Sequence, residues 1–294
     1  MFKRKKTVIA KLQGGLGNQM FQYAVAKGVG FERVFFDLSF LKKHSVSTND
    51  FTAREFELLI FKNIKVKEII KRHFKFLKSK KLNKLLGFKF NFITQIENEL
   101  VAIDKNTDVI YLDGYFQSEK YFSHCRELIL KDFEYPELDS KNLLIKNQIS
   151  TFENSVSVHI RRGDFIKSKA ILDIHGVVPL EFYHTAIDKL IETYGDIKLY
   201  FFSEDMNFVK ENFKSYSNIF FVEGNQGSDS WKDMALMSSC KHHIIANSSF
   251  SWWAAWLSIE DGITFAPRHF FNPKVKYEIN DFMPERWQII DYDF

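Results

Sequence analysis

Cysteine is scarce in this sequence, and long apolar runs are absent. The two cysteines, Cys125 and Cys240, cannot form a disulfide framework or, by themselves, a thiolate zinc site. No run approaches the roughly 18 apolar residues of a membrane-spanning helix, and the apolar stretch behind the basic N-terminus is too short for a signal peptide. These absences predict a cytoplasmic protein with reduced thiols and without a transmembrane helix.

The common motifs of metal sites and of nucleophilic hydrolases, H-E-x-x-H, C-x-x-C and G-x-S-x-G, are also missing. His242 and His243 are adjacent, so their side chains would point to opposite faces of a strand. The D-x-D triplet that holds manganese in many sugar transferases occurs only as Asp291-Tyr292-Asp293, at the end of the chain, where we attribute it to chance. We therefore expect neither a metal nor another cofactor.

The residues that are present indicate a folded core and an uneven charge. The composition is 45% hydrophobic and 27% charged, as in a globular protein. Residues 62–90 carry eleven Lys or Arg and one acid, a local net charge of +10, which leaves −6 for the rest of a chain whose total is +4. This basic segment fits a solvated helical face, a patch for anionic lipid headgroups or, third, a nucleic-acid site, for which no recognition motif is present.

A β-strand, a polar or glycine-containing loop and a helix recur along the chain, which predicts an α/β fold with parallel sheets. The stretch 139–155 is predicted to join two halves, with the boundary near residue 150. We expect two Rossmann-like domains, 1–150 and 151–294, facing each other across a central cleft. Because ligands of open parallel sheets bind at the carboxyl ends of the strands, the polar loops are expected to form one composite site.

The stretch "VHIRRGDF" ends one of these strands. Side chains alternate along a strand, so His159 and Arg161 are predicted to share a face where the strand ends. A guanidinium there suits phosphate oxygens, and His159 can donate to the same anion or to a sugar hydroxyl. The alternatives are an ion pair of Arg161 or Arg162 with Asp164 and, less favoured, an exposed R-G-D adhesion loop.

Three further loops have the residues of a nucleotide-sugar site. In "LQGGLGNQMF", Gly15 and Gly17 permit close approach of a ligand that Asn18 or Gln19 could bind, although an ordinary turn is the alternative. In "FFSEDM" and "WKDM", Ser203, Glu204, Asp205 and Asp233 either bind a ribose or guanine edge or cap helices. The last loop, "IIANSSFSWW", offers Asn247, Ser248, Ser249 and Phe250 to a diphosphate, with N-capping by Ser249 or Ser251 as the alternative.

Together, six stretches resemble the bacterial α1,2-fucosyltransferase family. They are "LQGGLGNQMFQYA", "GYFQSEKYF", "VHIRRGDF", "HGVVPLEFYHTAI", "FFSEDM" and "WKDMALMSSCKHHIIANSSFSWWAAWL". The resemblance spans nearly the whole chain, apart from residues 62–90. It implies a two-domain GT-B fold, GDP-fucose as donor, and metal-independent transfer of fucose, with inversion, to the 2-hydroxyl of a terminal galactose on an oligosaccharide or lipid-linked glycan.

The resemblance also implies roles for individual residues. The family motif H-x-R-R-x-D is matched by His159, Arg161, Arg162 and Asp164, which places the catalytic contacts to the donor diphosphate on Arg161 and His159. A G-x-x-G-N-Q loop in the wider clan implies that Asn18 lies at the donor. The clan's Ser-Ser-Phe strand end matches residues 248–250.

The resemblance makes Asp233 a candidate for the nucleotide. It identifies no general base; Asp37 and Glu55 are the candidates, and the role can also be empty.

Three rival functions remain. The first is a transferase of the same architecture with another nucleotide-sugar donor, and the second is a nucleotide- or sugar-binding protein without turnover. The third is a peripheral membrane or nucleic-acid binding protein that acts through residues 62–90. We expect no nucleic-acid partner, and we expect the basic segment to allow peripheral contact with the inner face of the cytoplasmic membrane.

Overall fold

The computed structural model describes residues 5–48, 51–70, 85, 87–96, 99–163, 169–275 and 281–292. The chain divides into two compact units. The first consists of Met1–Tyr135 and Tyr277–Pro284, and the second of Pro136–Lys276 and Glu285–Phe294. Each unit has its own parallel sheet, which confirms the predicted α/β class with two Rossmann-like halves.

The sheet of the first unit contains four strands in the described part of the chain. They are β1 (Thr7–Lys11), β2 (Arg33–Asp37), β3 (Phe90–Thr94) and β4 (Val109–Asp113). Their order is β2-β1-β4-β3, and every neighbouring pair is parallel. Consecutive residues of the central strand β1, Val8, Ile9 and Ala10, are buried, as expected where both faces of a parallel sheet are covered.

The described helices of the first unit follow these strands. They are α1 (Leu16–Gly28), α2 (Ser39–Lys43) and α3 (Arg126–Asp132). Helix α1 begins directly after the glycine loop and is buried along most of its length, with Met20, Phe21 and Ala24 fully inaccessible. The predicted order of strand, glycine turn and helix is confirmed for β1 and α1.

The second unit carries a larger parallel sheet. Its strands are β5 (Ser155–Ile160), β6 (Lys198–Ser203), β7 (Ile219–Phe221), β8 (His242–Ile244), β9 (Thr264–Pro267) and β10 (Gln288–Ile290). The order β7-β6-β5-β8-β9-β10 is that of a Rossmann sheet: the chain builds outward from β5 to β7, then restarts beside β5 with β8. The carboxyl ends of β5 and β8 therefore lie at the switch point, where ligands of such sheets bind.

Helices cover this sheet. They are α4 (Ser140–Ser150), α5 (Lys169–His175), α6 (Leu180–Tyr194), α7 (Met206–Phe213), α8 (Trp231–Ser238) and α9 (Ser249–Leu257). Val156, Val158 and Ile160 of β5 pack in one cluster with Phe182 of α6, as the alternation of the strand predicts. Ser157 and His159 are buried outside that cluster.

The compact units divide between Tyr135 and Pro136, upstream of the predicted boundary near residue 150. The reason is helix α4, which lies within the predicted passage but belongs to the second unit, because Asn142 on α4 hydrogen-bonds to Asn225 in the loop before α8. The assignment of acceptor and donor roles to the two halves, and the shared cleft, stay predictions.

Among the described residues, no helix is long and apolar enough to cross a membrane. Most of the basic segment 62–90 lies outside the described residues, since 71–84 and 86 are among those that the structure does not describe.

Candidate functional site

The switch point of the second unit brings the ends of β5 and β8 together. The two strands pair in parallel, with Val158 opposite Ile244. Beyond these residues, the ring of His159 lies 5.9 Å from the ring of Phe250, measured between centroids, at the start of α9. Two of the predicted motifs, "VHIRRGDF" and "IIANSSFSWW", therefore meet at one edge of the sheet.

His159 is buried and neutral in this position. Burial lowers its pKa from 6.5 to about 3, because the charged imidazolium loses its hydration, and the positive charge of Arg161 acts in the same direction. Its Nδ1 atom is buried and has no hydrogen-bond partner in the described part of the chain. His159 can therefore donate or accept a hydrogen bond at neutral pH but cannot supply a positive charge.

The two arginines are held by acids from the neighbouring strand end. Arg161 forms an ion pair with Glu204, and the Nε atom of Arg162 lies 3.1 Å from Oδ2 of Asp205. The guanidinium of Arg162 also lies 3.6 Å from the centroid of the Phe208 ring, a cation–π contact. An ion pair is thus observed, but with the acids that follow β6; Asp164, the acid predicted in the alternative, lies outside the described residues.

Ser203 and Asp205 shape the loop after β6. The hydroxyl of Ser203 accepts a hydrogen bond from the backbone N–H of Asp205 at 3.1 Å. Asp205 then caps α7, because its Oδ1 atom accepts from the N–H of Phe208 at 3.3 Å. The predicted helix-capping alternative is confirmed for Asp205, while a role of either residue at the donor stays a prediction.

The loop between β8 and α9 is fixed by its own side chains. Ser248 is the N-cap of α9 and accepts from the N–H of Phe250 at 3.3 Å, so the prediction of capping by Ser249 or Ser251 was wrong. Asn247 is buried, and its amide donates to the carbonyl of His175 at 2.9 Å. This arrangement leaves Ser249 partly exposed at the N-terminus of a nine-residue helix, whose dipole favours an anion.

Asp233 is a largely buried acid in the first turn of α8. Its Oδ1 atom accepts a hydrogen bond of 2.8 Å from the amide of Asn225. Burial raises the pKa of Asp233 from 3.8 to about 7, although the hydrogen bond from Asn225 and the charge of Lys141 oppose the rise. A buried carboxyl close to half ionisation at neutral pH is typical of a functional group.

In the first unit, the predicted glycine loop makes a tight turn before α1. Gly14 has a φ of +77°, and a Cβ atom there would lie 2.5 Å from the Nδ2 atom of Asn18, so glycine is required. A Cβ atom on Gly15 would lie 3.6 Å from Nε of Arg54, an ordinary van der Waals distance. Asn18 is partly exposed, and its side-chain oxygen accepts a hydrogen bond of 2.8 Å from the amide of Gln117. The amide N–H groups of Asn18 are not used in this contact.

Gln19 is fully buried, and its side chain holds the glycine loop through hydrogen bonds. Its amide donates to the carbonyls of Gly14 at 2.8 Å and Glu55 at 2.7 Å, and its oxygen accepts from the N–H of Glu57 at 3.0 Å. The structure thus assigns the Gln19 side chain to the loop itself and not to the surface of the site. Gly17 is buried in the first turn of α1.

The candidate bases occupy different environments. Asp37 is buried and accepts from the hydroxyl of Tyr111 at 2.7 Å and from the N–H of Ser39 at 2.9 Å. Burial acts to raise its pKa, but these hydrogen bonds and the charge of Lys11 outweigh burial and hold the pKa below 3.8. Glu55 is exposed. An acid with a lowered pKa is a poor match for proton abstraction near neutral pH.

Sequence analysis missed Glu57, two residues beyond Glu55. Its Oε2 atom accepts from the N–H of Leu16 at 3.2 Å, at the N-terminus of α1. Burial raises its pKa, and the charge of Arg54 opposes that rise. Asn225 was missed as well. Nothing local marks Glu57 or Asn225, since their partners are distant in the sequence. Glu204 was predicted at the end of its strand, but as a contact to the ligand and not as the partner of Arg161.

In the described ranges, no group of three or more His, Cys, Asp or Glu side chains is placed to hold a metal ion. Nothing further follows for the reaction from this observation.

The second unit therefore has the strand order of the Rossmann class of α/β folds, in which ligands bind at the switch point of the parallel sheet. The sequence profile of Glycosyl transferase family 11 matches residues 1–291, and the chain belongs to that family. It is a glycosyltransferase, which confirms the predicted relationship.

Two bacterial relatives align over most of this chain. The Alpha-1,2-colitosyltransferase of Escherichia coli is 35% identical over 97% of this chain and 99% of its own length. The O-antigen biosynthesis glycosyltransferase WbnK of Escherichia coli is 34% identical over 88% of this chain and 93% of its own length. Among solved structures, the fucosyltransferase NodZ from Bradyrhizobium has a TM-score of 0.47 and 11% identity, covering 86% of this chain and 92% of that chain.

Proposed function

We propose that this glycosyltransferase moves L-fucose, or the closely related colitose, from its GDP conjugate to the 2-hydroxyl of a terminal galactose. The observation that carries the proposal is membership of Glycosyl transferase family 11 across residues 1–291, together with a full-length relative named for α-1,2 transfer. The match to WbnK supports an acceptor among the glycans of O-antigen biosynthesis.

The donor is the open choice within this proposal. The 35% identity to a colitosyltransferase favours GDP-colitose as a second candidate. A galactoside α-(1,2)-fucosyltransferase 2 of Pongo pygmaeus, 29% identical over 54% of this chain, supports fucose and a galactoside acceptor. Colitose lacks the 3-hydroxyl of fucose, so a side chain that hydrogen-bonds to that hydroxyl would favour fucose.

In the proposed reaction, a bond forms between the acceptor oxygen and the anomeric carbon while the bond from that carbon to the GDP β-phosphate oxygen breaks. The leaving GDP takes the bonding electrons, so negative charge grows on its phosphate. Arg161, Arg162 and the N-terminal groups of α9 are proposed to stabilise that charge without a metal, and neutral His159 to add a hydrogen bond. On binding the donor, Arg161 would exchange Glu204 for the diphosphate.

The remaining donor contacts are proposed from their positions. Asp233 would contact the nucleobase, with Ser203, Asp205 and Asn247 supporting the loops around it. In the first unit, Gly15, Gly17 and Asn18 are proposed to contact substrate, with Gln19 holding their loop. The proton of the attacking hydroxyl passes to a carboxylate or to water.

The test measures GDP release from GDP-fucose and from GDP-colitose, with and without lactose and in the presence of EDTA. We expect lactose-dependent release that persists in EDTA. Arg161→Ala should lower kcat by about 10²–10³-fold, because one preorganised donor to the developing charge is lost. Arg33→Ala, an exposed arginine at the start of β2, is the matched control and should leave the rate unchanged.

Two outcomes would contradict the proposal. Equal rates for wild type and Arg161→Ala would show that Arg161 does not stabilise the charge on the leaving diphosphate. Turnover only with another nucleotide sugar would be consistent with the glycosyltransferase family but would exclude GDP-fucose and GDP-colitose as donors.

A further inference from the structure

Asp233 is an acid whose burial is not compensated by an ion pair. In the described ranges, no basic group lies within ion-pair distance of its carboxylate, and its one hydrogen bond there comes from Asn225. Burying a carboxylate without a cation is costly, so a structural role alone would be filled at lower cost by a neutral side chain. The position of Asp233, in the first turn of α8 after the loop that follows β7, lies at the ligand-binding edge of the sheet.

The orientation of Asn225 is dictated by a chain of side chains that begins at Asp139. Lys232, and then the groups of Asn142, hold the pKa of Asp139 well below its usual range, so its oxygens can only accept hydrogen bonds. The amide nitrogen of Asn142 lies 3.1 Å from Oδ1 and 3.0 Å from Oδ2 of Asp139, so the two oxygens share one of its N–H groups and the other is left for Asn225. This contact turns the carbonyl of Asn142 towards Asn225.

Asn142 and Asn225 then bond to each other in both directions. Asn225 donates to Asn142 at 2.7 Å, and Asn142 donates to the oxygen of Asn225 at 3.0 Å. Both amides are buried, with 1% and 7% of their surface exposed, so neither can turn to water. The amide group of Asn225 is consequently left with its donors facing Asp233, 2.8 Å from Oδ1.

Two opposing effects act on the protonation of Asp233. Burial raises its pKa to about 7, whereas the hydrogen bond from Asn225 and the positive charge of Lys141 on α4 favour the carboxylate. Lys141 is itself bonded to the carbonyl of Glu223 at 2.6 Å, and the Glu223 carboxylate pairs with Lys210. Lys232, beside Asp233, is paired with both Asp139 and Asp229. Loss of the Asn225 donor would therefore shift the balance towards the neutral acid.

We propose that Asn225, held by Asn142, is a positioning residue that favours the ionised form of Asp233, the form whose carboxylate accepts hydrogen bonds from the N–H donors of a guanine base. This inference rests on the proposed GDP-sugar donor. The Watson–Crick edge of guanine presents two adjacent N–H donors, which a carboxylate accepts, whereas adenine presents an acceptor at the corresponding ring nitrogen. The amide pair would thus set both the affinity for GDP and the preference for GDP over ADP.

The experiment measures dissociation constants of GDP and ADP by calorimetry at pH 6, 7 and 8.5 for the full-length wild type and Asn225→Ala. If Asn225 accounts for about one pKa unit, its loss weakens GDP binding about tenfold at pH 6 and about fivefold at pH 7. At pH 8.5 the two proteins should agree within about twofold, since Asp233 is then ionised in both. The nucleotide itself also ionises in this pH range, but this affects both proteins equally. The ratio of the two dissociation constants at each pH is therefore independent of it.

Further variants separate positioning from a general loss of structure. Asn142→Ala should change GDP binding in the same direction by a smaller factor, and it decides the question if circular dichroism shows that Asn225→Ala is unfolded. Asn147→Ala, an exposed asparagine on the same helix α4, should match wild type. ADP affinity should be the same in wild type and Asn225→Ala.

A loss of GDP affinity that is equal at all three pH values, or equal for GDP and ADP, would overturn the inference in favour of a purely structural amide pair. Unchanged GDP affinity in both asparagine variants would overturn it as well. If wild type binds no GDP at any pH, the proposed donor itself fails, and the inference falls with it for that separate reason.

Discussion

Two buried groups of the second unit, His159 and Asp233, illustrate how burial acts on acids and bases. Burial disfavours the charged form in both, so it lowers the pKa of His159 to about 3 and raises that of Asp233 to about 7. His159 is therefore neutral throughout the physiological range, whereas Asp233 titrates within it. Of these two groups, Asp233 is the one whose charge changes with pH near neutrality.

The titration of Asp233 predicts a contribution to stability that is lost as pH rises. The pKa of Asp233 is about 7 in the folded protein and about 3.8 in the unfolded chain, so between these values the folded state holds the extra proton. The contribution of Asp233 to the free energy of unfolding then decreases with pH across this interval and levels off above pH 7. Asp233→Asn removes the effect, and its stability relative to wild type should rise by roughly 2–4 kcal/mol from pH 4.5 to pH 8.

Urea unfolding at the two pH values, without nucleotide, measures this difference. The matched control is Asp261→Asn, at an exposed aspartate after α9, whose stability relative to wild type should not change with pH. A constant difference between Asp233→Asn and wild type at both pH values would show that Asp233 is ionised in the folded protein down to acidic pH.

At the level of secondary-structure elements, the conformation of the glycine loop depends on hydrogen bonds to a segment outside its own motif. Gln19 joins Gly14 to Glu55 and Glu57 through three hydrogen bonds, and Glu57 in turn accepts from the first N–H of α1. The segment around residues 55–57 therefore holds the end of β1, the loop and the start of α1 in one arrangement. The conformation of the glycine loop is therefore determined by these hydrogen bonds as well as by its glycines.

Gln19→Ala should destabilise the protein by about 1–3 kcal/mol, because it removes three hydrogen bonds that a fully buried side chain makes to the backbone. Thermal and urea unfolding measure the loss. Gln148→Ala, on the partly exposed face of α4, provides the control and should change stability by less than about 0.5 kcal/mol. A Gln19→Ala protein as stable as wild type would mean that water replaces the amide at no cost.

The elements that could be predicted from the sequence are those with local signals. Strands β1, β5 and β6 are apolar runs that end in polar loops, and each lies where the pattern placed it. The capping of α9 by Ser248 was missed because three serines of "NSSFS" have the same propensity, and only the backbone turn selects among them. The compact units divide after Tyr135 and not near residue 150, because α4 packs on α8, a contact between distant segments.

The residues of the candidate site likewise divide into those with a local sequence signal and those without one. His159, Arg161 and Phe250 were predicted because each lies at a strand end, and strand ends of a parallel sheet converge. Glu57 and Asn225 were not predicted, because each owes its position to a partner more than 30 residues away, Leu16 in one case and Asn142 in the other. Sequence patterns carry no information on such pairs unless the fold is known.

At the scale of the whole molecule, the distribution of charge is the main feature that the site does not explain. Residues 62–90 carry a net charge of +10, and the rest of the chain carries −6. Each lysine near an anionic bilayer contributes on the order of 1 kcal/mol to binding, and the attraction falls off within about one Debye length, roughly 8 Å at physiological salt. A concentrated basic segment therefore favours a membrane far more than the same charge spread over the surface.

This asymmetry predicts that the protein binds vesicles containing anionic lipids and that the basic segment carries the binding. Replacing Lys78, Lys80, Lys81 and Lys84 by glutamine lowers the charge of the segment from +10 to +6. Co-sedimentation with vesicles of mixed neutral and anionic lipid at physiological salt should then fall by about 10²-fold or more in partition coefficient. Turnover with lactose, an acceptor in solution, should stay at the wild-type rate.

A control with the same change in net charge distinguishes a local patch from a general electrostatic effect. Four exposed lysines of the second unit serve for it, namely Lys146, Lys189, Lys210 and Lys214. If concentration of charge matters, their replacement by glutamine reduces vesicle binding much less than the change in the segment does. Equal losses would mean that net charge alone drives the attraction. No pelleting of wild type beyond that with neutral vesicles would contradict the prediction of membrane binding.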